Sequence, residues 1–367
     1  MVRVKVNGTA IESQGLVKDA LVSAGIKINK FLEDDEAESV FMPCDCGGCW
    51  SCAVKINGRL SLSCNTPLEE DMDIQTIKSP DKTLRVVSSL GAHTAGGVGT
   101  PYFLKKEKKP VEIVVFTHGC NLRCPQCQNS QVAFTDRGNL LEPQETSQIL
   151  SGLEEGMGIN TITFSGGEST LNPTWLLKTI EHLKKIKNKI NIHVDTNGTI
   201  LTPEYMDKLI KSGVNRLGID LKGVNLPTFQ LISGVQDPYL ARKYLDNSWR
   251  AVEYLIENYN MEYVLKSGDK YQLIKGVKNT NKPSLFLGIG IPYNKDLISK
   301  NEIIEMGLQI KKWDSKIQVC VLDYRPEFKR KDLIQPDWKE MIEIKNILNE
   351  VGLETVLVQS EKGYYGP

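Results

Sequence analysis

The chain has 367 residues, of which 40% are hydrophobic, and its 45 lysines and arginines are balanced by 45 aspartates and glutamates. That balance excludes a global field drawing the chain to nucleic acid or to an anionic membrane, while the apolar content is that of a chain with a sizeable buried core. No apolar run reaches the roughly 20 residues of a membrane helix. The opening MVRVKVNGTA lacks the apolar core of a secretion signal. The expectation is therefore a cytoplasmic protein with no membrane and no nucleic-acid partner, in which nine cysteines point to metal before disulfide.

Residues 1–78 read as a small β-rich unit. VRVKVNGTAIES alternates apolar and polar residues around Asn7-Gly8, a hairpin signal. GLVKDALVSAGI spaces Leu16, Ala20, Leu21 and Ala24 as a helix does, and CAVKINGRLSLSC repeats the hairpin pattern around Asn57-Gly58. Hairpin, helix, cysteine loop and hairpin, in that order, predict a β-grasp (α+β) domain. SLGAHTAGGVGTP and the cationic LKKEKKP follow; they are too rich in glycine for a regular element, so residues 79–110 read as a connector.

From Val111 onward strands alternate with helices. VEIVVF, NTITFS, INIHVDT, RLGIDLK, SLFLGIGIP, KIQVCVLDY and ETVLVQS have strand character, and helices begin near Pro143, Pro173, Pro203, Asp237, Asn301 and Pro336. Proline suits a helix's first turn because the N–H it lacks would be unpaired there anyway. The alternation predicts an α/β fold with a parallel sheet, a partial (β/α)6 barrel over 111–325, and a C-terminal extension over 326–367. In INIHVDTNG, Ile190, Ile192 and Val194 should face the outer helices, leaving Asn191, His193 and Asp195 toward the lumen. Gly218, Asp220 and Lys222 face inward by the same rule.

Cys44, Cys49, Cys52 and Cys64 follow C-x4-C-x2-C-x11-C. The first three have the plant-type ferredoxin spacing of a [2Fe–2S] cluster. The short gap to the fourth, across a hairpin, resembles the iron–sulfur subunit of succinate dehydrogenase and bacterial ferredoxin modules. Gly47 and Gly48 suit a loop that wraps a cluster and turns N–H groups toward sulfur. Four thiolates also suit structural zinc, although such sites usually pair one C-x2-C with another. Cys46 is an extra loop thiol.

Cys120, Cys124 and Cys127 form a second set, C-x3-C-x2-C, directly after a strand. Three thiolates hold three irons of a [4Fe–4S] cluster and leave the fourth open for another ligand, as an open position on catalytic zinc does. This spacing is similar to the signature of radical S-adenosylmethionine (SAM) enzymes. FSGGES, DTNG, DLK and GIGIP, each at a strand end, extend the resemblance to the pyruvate formate-lyase activating enzyme and AmmeMemoRadiSam-like branch.

The resemblance covers residues 111 to about 325 and implies a radical SAM barrel with SAM chelated at the open iron. It places Gly166, Gly167 and Glu168 by the methionine amine. Asp195, Asn197, Asp220 and Lys222 fall around the SAM carboxylate, a nearby cation or the radical path, and Gly288 and Gly290 against adenine. Gln126 stands where the family often has an aromatic residue. The residues also leave plainer readings open: Asp220 and Lys222 as a buried ion pair, His193 as a satisfied lumen histidine, His118 as packing beside the cluster loop, and Cys320 as core. Arg325 in DYRPEFKR serves either as a clamp for an anionic group or as a solvated loop end.

Together the two cysteine sets imply an enzyme that cleaves SAM to a 5′-deoxyadenosyl radical, with the [2Fe–2S] domain relaying single electrons from an external donor of ferredoxin or flavodoxin type. Its substrate is a small molecule or a protein. Glycyl-radical activation or side-chain modification is one alternative, and a non-enzymatic iron–sulfur electron carrier is another.

Overall fold

The computed structural model describes residues 1–32, 39–77, 82–94, 96–106, 109–276 and 281–367. The expected boundary at 78/79 lies outside the described residues, as do Ala95 of the glycine-rich run and Glu107 and Lys108 of the cationic run. Strands β1 (Val2–Val6) and β2 (Thr9–Ser13) form the first hairpin, closed by Asn7 and Gly8 with φ of 49° and 85°. Two successive positive φ values match the twist of the flanking strands, which is why Asn-Gly serves there. Helix α1 (Val17–Ser23) buries Val17, Ala20 and Leu21, and Asp19 accepts a hydrogen bond from the Leu16 N–H at 2.7 Å.

The short strands β3 (Lys27–Asn29) and β4 (Ser39–Phe41) pair in parallel. The second hairpin, β5 (Ala53–Ile56) and β6 (Arg59–Leu62), turns at Asn57-Gly58. Strand β7 (Asp73–Thr76) inserts between the hairpins, giving the order β2-β1-β7-β5-β6 around a core that includes Val4, Leu21, Val54 and Ile74. This is the expected β-grasp arrangement.

The chain then departs from expectation. Instead of a connector, Arg85–His93 forms strand β8, antiparallel to β9 (Glu112–Thr117). Its irregularity is absorbed as a bulge between Ser88 and Gly91, with Ser89 at φ 51°, so the strand bends rather than ending. Short helices α2 (Tyr102–Lys105) and α3 (Ser130–Ala133) follow, with β10 (Asn139–Leu141) pairing on β8.

The parallel run continues through β11 (Thr161–Gly166), β12 (Asn191–Thr196) and β13 (Arg216–Asp220), connected by α4 (Pro143–Met157), α5 (Pro173–Ile186) and α6 (Pro203–Ser212). Each of these three helices carries proline in its first turn. Helices α7 (Leu226–Ser233) and α8 (Pro238–Asn258) and the hairpin β14 (Asn260–Ser267) and β15 (Lys270–Lys275) come before β16 (Ser284–Tyr293). After α9 (Lys300–Trp313), strand β17 (Gln318–Asp323) pairs with β16. Beyond α10 (Trp338–Glu350), β18 (Val356–Ser360) joins β17 in parallel and β19 (Gly363–Tyr365) turns back on it. The tail thus extends the curved sheet. No helix among the described residues is long and apolar enough to cross a membrane.

The segment Gly96–Thr100 enters the lumen of this curved sheet as a strap. Gln318 Nε2 donates to the carbonyls of Val98 and Thr100 at 2.9 Å each, and Gln318 Oε1 accepts from the Tyr102 N–H at 2.8 Å. Glu112 accepts from the Gly97 N–H at 3.1 Å and the Thr100 hydroxyl at 2.9 Å. Backbone meets backbone so closely that a Cβ on Gly288 would lie 1.9 Å from the Val98 carbonyl oxygen, and one on Gly218 would lie 2.7 Å from the Gly99 nitrogen. Because a backbone carbonyl cannot rotate away, Gly288→Ala is expected to cost about 1–3 kcal/mol of stability by overpacking. Thermal unfolding of the variant should begin several degrees below that of the native chain.

Candidate active site and cluster-binding loops

The loop after β9 carries Cys120, Cys124 and Cys127, and all three thiols face one cavity of about 350 Å³. Gly166 and Gly167 at the end of β11 tuck beneath this loop: a Cβ on Gly167 would fall 2.3 Å from the Gly119 carbonyl oxygen, so only glycine fits. The Glu168 N–H donates to that same oxygen at 2.8 Å. The Glu168 carboxylate is fully engaged by the chain itself, accepting from Thr170, from the Thr196 hydroxyl at 2.7 Å and from the Asn197 N–H at 2.7 Å. Burial pushes its pKa up against these bonds. Its side chain therefore ties the end of β12 to the end of β11. Asn197 Nδ2 reaches Asn121 at 3.0 Å and lies 3.9 Å from Cys120 Sγ.

Asp195 also lines the cavity, with one oxygen 3.0 Å from His193 Nε2, while His193 Nδ1 lies 3.5 Å from Glu112. Burial opposes charge on His193, yet Asp195 and Glu112 beside it lift the imidazole to about 9. For Glu112, burial works upward, but His193 and the Thr163 hydroxyl hold its carboxyl at about 2. The imidazolium thus holds Glu112 charged, with Lys105 adding to the effect. Asp220 and Lys222 form an ion pair at 3.3 Å on the cavity wall, and Tyr324 lies 3.4 Å from the Lys222 ammonium. Burial works against that ammonium, but Tyr324 and Asp220 keep it protonated.

Other residues singled out in the sequence lie elsewhere. Gly288 and Gly290 do not line the cavity: a Cβ on Gly288 would meet the Val98 carbonyl oxygen, and one on Gly290 would lie 2.2 Å from Asp220 Oδ1 and 3.0 Å from the Val98 side chain. Arg325 is held by both oxygens of its neighbour Asp323, at 2.8 and 2.9 Å, and does not line the cavity. Cys320 is buried with Val98, Tyr102 and Leu357. His118 is clamped by Thr135 and Ser88. Gln126, by contrast, does line the cavity, and it donates to the Ile232 carbonyl at 2.9 Å.

Sequence reading missed Glu112 and Lys105, which also line the cavity. Glu112 was detectable, because Glu112, Val114 and Phe116 share one face of β9 at period two and all three line the cavity. Lys105 had no local signal: its position depends on how α2 follows the strap.

The first cysteine loop lies against the second. Cys44, Cys49, Cys52 and Cys64 are each at most 2% exposed. Their thiols lie close together, Cys44 beside Cys46 and Cys49, and Cys52 beside Cys64. Among the described residues, no three histidine, cysteine or acidic side chains converge on a single ion-sized point. Four thiols, each almost completely buried in one locus, are a donor set that fits a [2Fe–2S] cluster. The second set also fits its group: three thiols, Cys120 buried and Cys124 and Cys127 partly so, whose pKa values burial raises, Cys127 to about 12, beside a glycine-walled cavity. Iron would have to displace their protons.

Residues 114–269 match the Radical SAM superfamily, and residues 1–79 match the 2Fe-2S iron-sulfur cluster binding domain. The chain therefore carries a radical SAM domain behind an N-terminal ferredoxin-like domain. This makes it an enzyme by class, one whose cofactors are a [4Fe–4S] cluster, SAM and a [2Fe–2S] cluster, without assigning a reaction.

Among relatives, it is 33% identical over 120 residues to Molybdenum cofactor biosynthesis protein 1 of Dictyostelium discoideum, covering 33% of this chain and 19% of that protein. It is 32% identical over 121 residues to GTP 3′,8-cyclase of Petrotoga mobilis, covering 33% and 36%. The matched region thus spans well under two thirds of these curated relatives. Among solved structures, Streptococcus suis SuiB bound to its precursor peptide SuiA aligns with a TM-score of 0.48 at 18% identity, covering 68% of this chain and 49% of that one.

The buried imidazolium makes a pH prediction. Its raised pKa means that its contribution to stability is fully present below the ordinary histidine value of about 6.5 and is lost as pH rises through about 9. The margin in melting temperature of the native chain over His193→Gln should therefore shrink between those two pH values. A margin that stays constant across that window would count against a charged His193.

Proposed function

We propose that this chain reductively cleaves SAM and turns the resulting radical on a hydrogen atom of a substrate reaching into the barrel lumen, with the N-terminal domain relaying electrons singly. One observation carries this reading: a single cavity is lined by Cys120, Cys124 and Cys127, by Gly166, Gly167 and Glu168, and by Asp195, Asn197, Asp220 and Lys222. When bound, the cluster would hold SAM at its open iron and supply the electron that splits it into methionine and a 5′-deoxyadenosyl radical.

The chain's own part is positional. Cys120, Cys124 and Cys127 serve as thiolate ligands, and the glycines let a ligand lie against backbone. The bonds of Glu168 to Thr196 and Asn197 keep the ends of β11 and β12 in register around it. A cavity of about 350 Å³ is at the small end for ligand sites, so only the reacting part of a substrate enters beside SAM. That fits a small polar molecule, or one residue of a protein as in glycyl-radical activation or side-chain modification. The Asp195 side chain and the Asp220–Lys222 pair on the cavity wall favour a polar reacting group. A pure electron carrier has no use for such a cavity, which weighs against that alternative.

The test is anaerobic. Dithionite-reduced protein given SAM should release 5′-deoxyadenosine, measured by chromatography. Cys124→Ala should release none while keeping the [2Fe–2S] absorption and EPR signals. Cys52→Ala should lose those signals yet still cleave SAM with dithionite, slowing mainly with a ferredoxin or flavodoxin as donor. A native protein with both clusters intact and no nucleoside produced would point to the electron carrier instead.

A further inference from the structure

The two cysteine loops touch through positions that have no side chain. A Cβ on Gly119, in the second loop, would lie 3.2 Å from Cys44 Sγ and 2.9 Å from the Cys49 nitrogen. A Cβ on Gly48, in the first, would lie 2.6 Å from the Gly119 nitrogen and 2.8 Å from the His118 Cβ. One thiol of the [2Fe–2S] set thus rests on the residue that precedes Cys120 of the other set. At the start of β8, the Val86 N–H donates to the Gly48 carbonyl at 3.2 Å while the Val86 carbonyl accepts from the His118 N–H at 2.9 Å. A single residue thereby spaces both loops.

Beside it lies Arg85, which is 0% exposed. Its guanidinium donates to the carbonyls of Ser169 at 2.9 Å, His118 at 3.2 Å and Glu168, all belonging to the SAM-side loops. Its Nε has no hydrogen-bond partner among the described residues. No carboxylate of the described residues pairs with it within the salt-bridge distances found; burial works against its charge and lowers its pKa, and the nearby Cys49 and Cys44 are what most favour the protonated form. A fully buried cation with an orphaned N–H is costly unless something anionic completes it. Cysteine thiolates and cluster sulfur are such acceptors, and net charge and hydrogen bonds to sulfur are what set an iron–sulfur potential.

We infer that Arg85 is a positioning residue shared by the two cluster sites: it holds the His118–Gly119 turn against Cys44 and makes the [2Fe–2S] site easier to reduce. This inference rests on the reading above and adds the residue that joins its two halves. The electron added on reduction comes from the external one-electron donor, and the positive charge of Arg85 offsets the added negative charge. Arg123 supports the junction from the solvent side, donating to the carbonyls of Cys120 at 2.6 Å and of Cys44.

The test is an EPR-monitored redox titration of the reconstituted full chain. Arg85→Met should shift the [2Fe–2S] midpoint to more negative potential, while Arg85→Lys, which keeps the charge, should stay near the native value. An unmoved midpoint in Arg85→Met overturns the inference, as does a lysine variant displaced as far as the methionine one. Should Arg85→Met fail to fold, the native chain still decides the matter through the contact. Its reduced [2Fe–2S] signal should relax faster than in Cys124→Ala, and equal relaxation overturns the proposed junction. SAM cleavage measured on the same native sample separates the two readings: nucleoside formed with an unmoved potential removes only the role of Arg85, and no nucleoside removes the proposed reaction.

Discussion

Backbone resting directly on backbone is the constraint on which this molecule depends. Gly48 against Gly119, Gly167 beneath the Gly119 carbonyl, and Gly288 beneath the Val98 carbonyl are contacts that a single methyl group would obstruct. Two of them bring the cysteine loops and the end of β11 into one locus, and the third seats the strap in the lumen. Interiors this close-packed do not relax to admit an extra atom without cost. The approach distances set by glycine therefore decide where the thiols, the cavity and the lumen charges lie relative to one another.

The lumen shows how the fold supports charge where water is scarce. Glu112 receives hydrogen bonds from the strap and from Thr163, and it balances His193, which in turn faces Asp195. Buried charge persists there because it is paired: the His193 imidazolium and the Glu112 carboxylate hold each other charged. The same carboxylate that anchors the strap therefore also supports the charge of His193. The strap is structural support and site wall at once, since Gly96, Gly97 and Val98 line the cavity.

The small domain is joined to the barrel through polar as well as apolar contacts. Asn172 donates to the Cys49 carbonyl at 2.9 Å, Tyr244 to the Lys30 carbonyl at 2.8 Å, and Cys44 and Cys49 pack in the same apolar cluster as Cys120 and Leu122. Such contacts satisfy loop carbonyls that would otherwise be stranded on burial. They also distinguish this arrangement from a carrier domain tethered by a linker, whose distance to its partner would vary.

Much was legible in the residue order. The two Asn-Gly hairpins, the proline-started helices, the alternating lumen faces of β12 and β13 and the spacing of seven cysteines are local patterns, set by backbone sterics and side-chain period within a few residues. What the order could not convey was long-range. The stretch read as connector became β8 and the lumen strap because β9 and Gln318 supply its hydrogen-bond partners from far along the chain. The tight fit of Gly288 against Val98 and of Gly290 against Asp220 also comes from segments distant in the chain. Arg85 carried no motif at all. By itself, then, the sequence determined the elements, the fold class and the cysteine chemistry; only tertiary structure decided that the two loops meet and which buried charges stand between them, because such contacts arise from the packing of distant segments and leave no period to read.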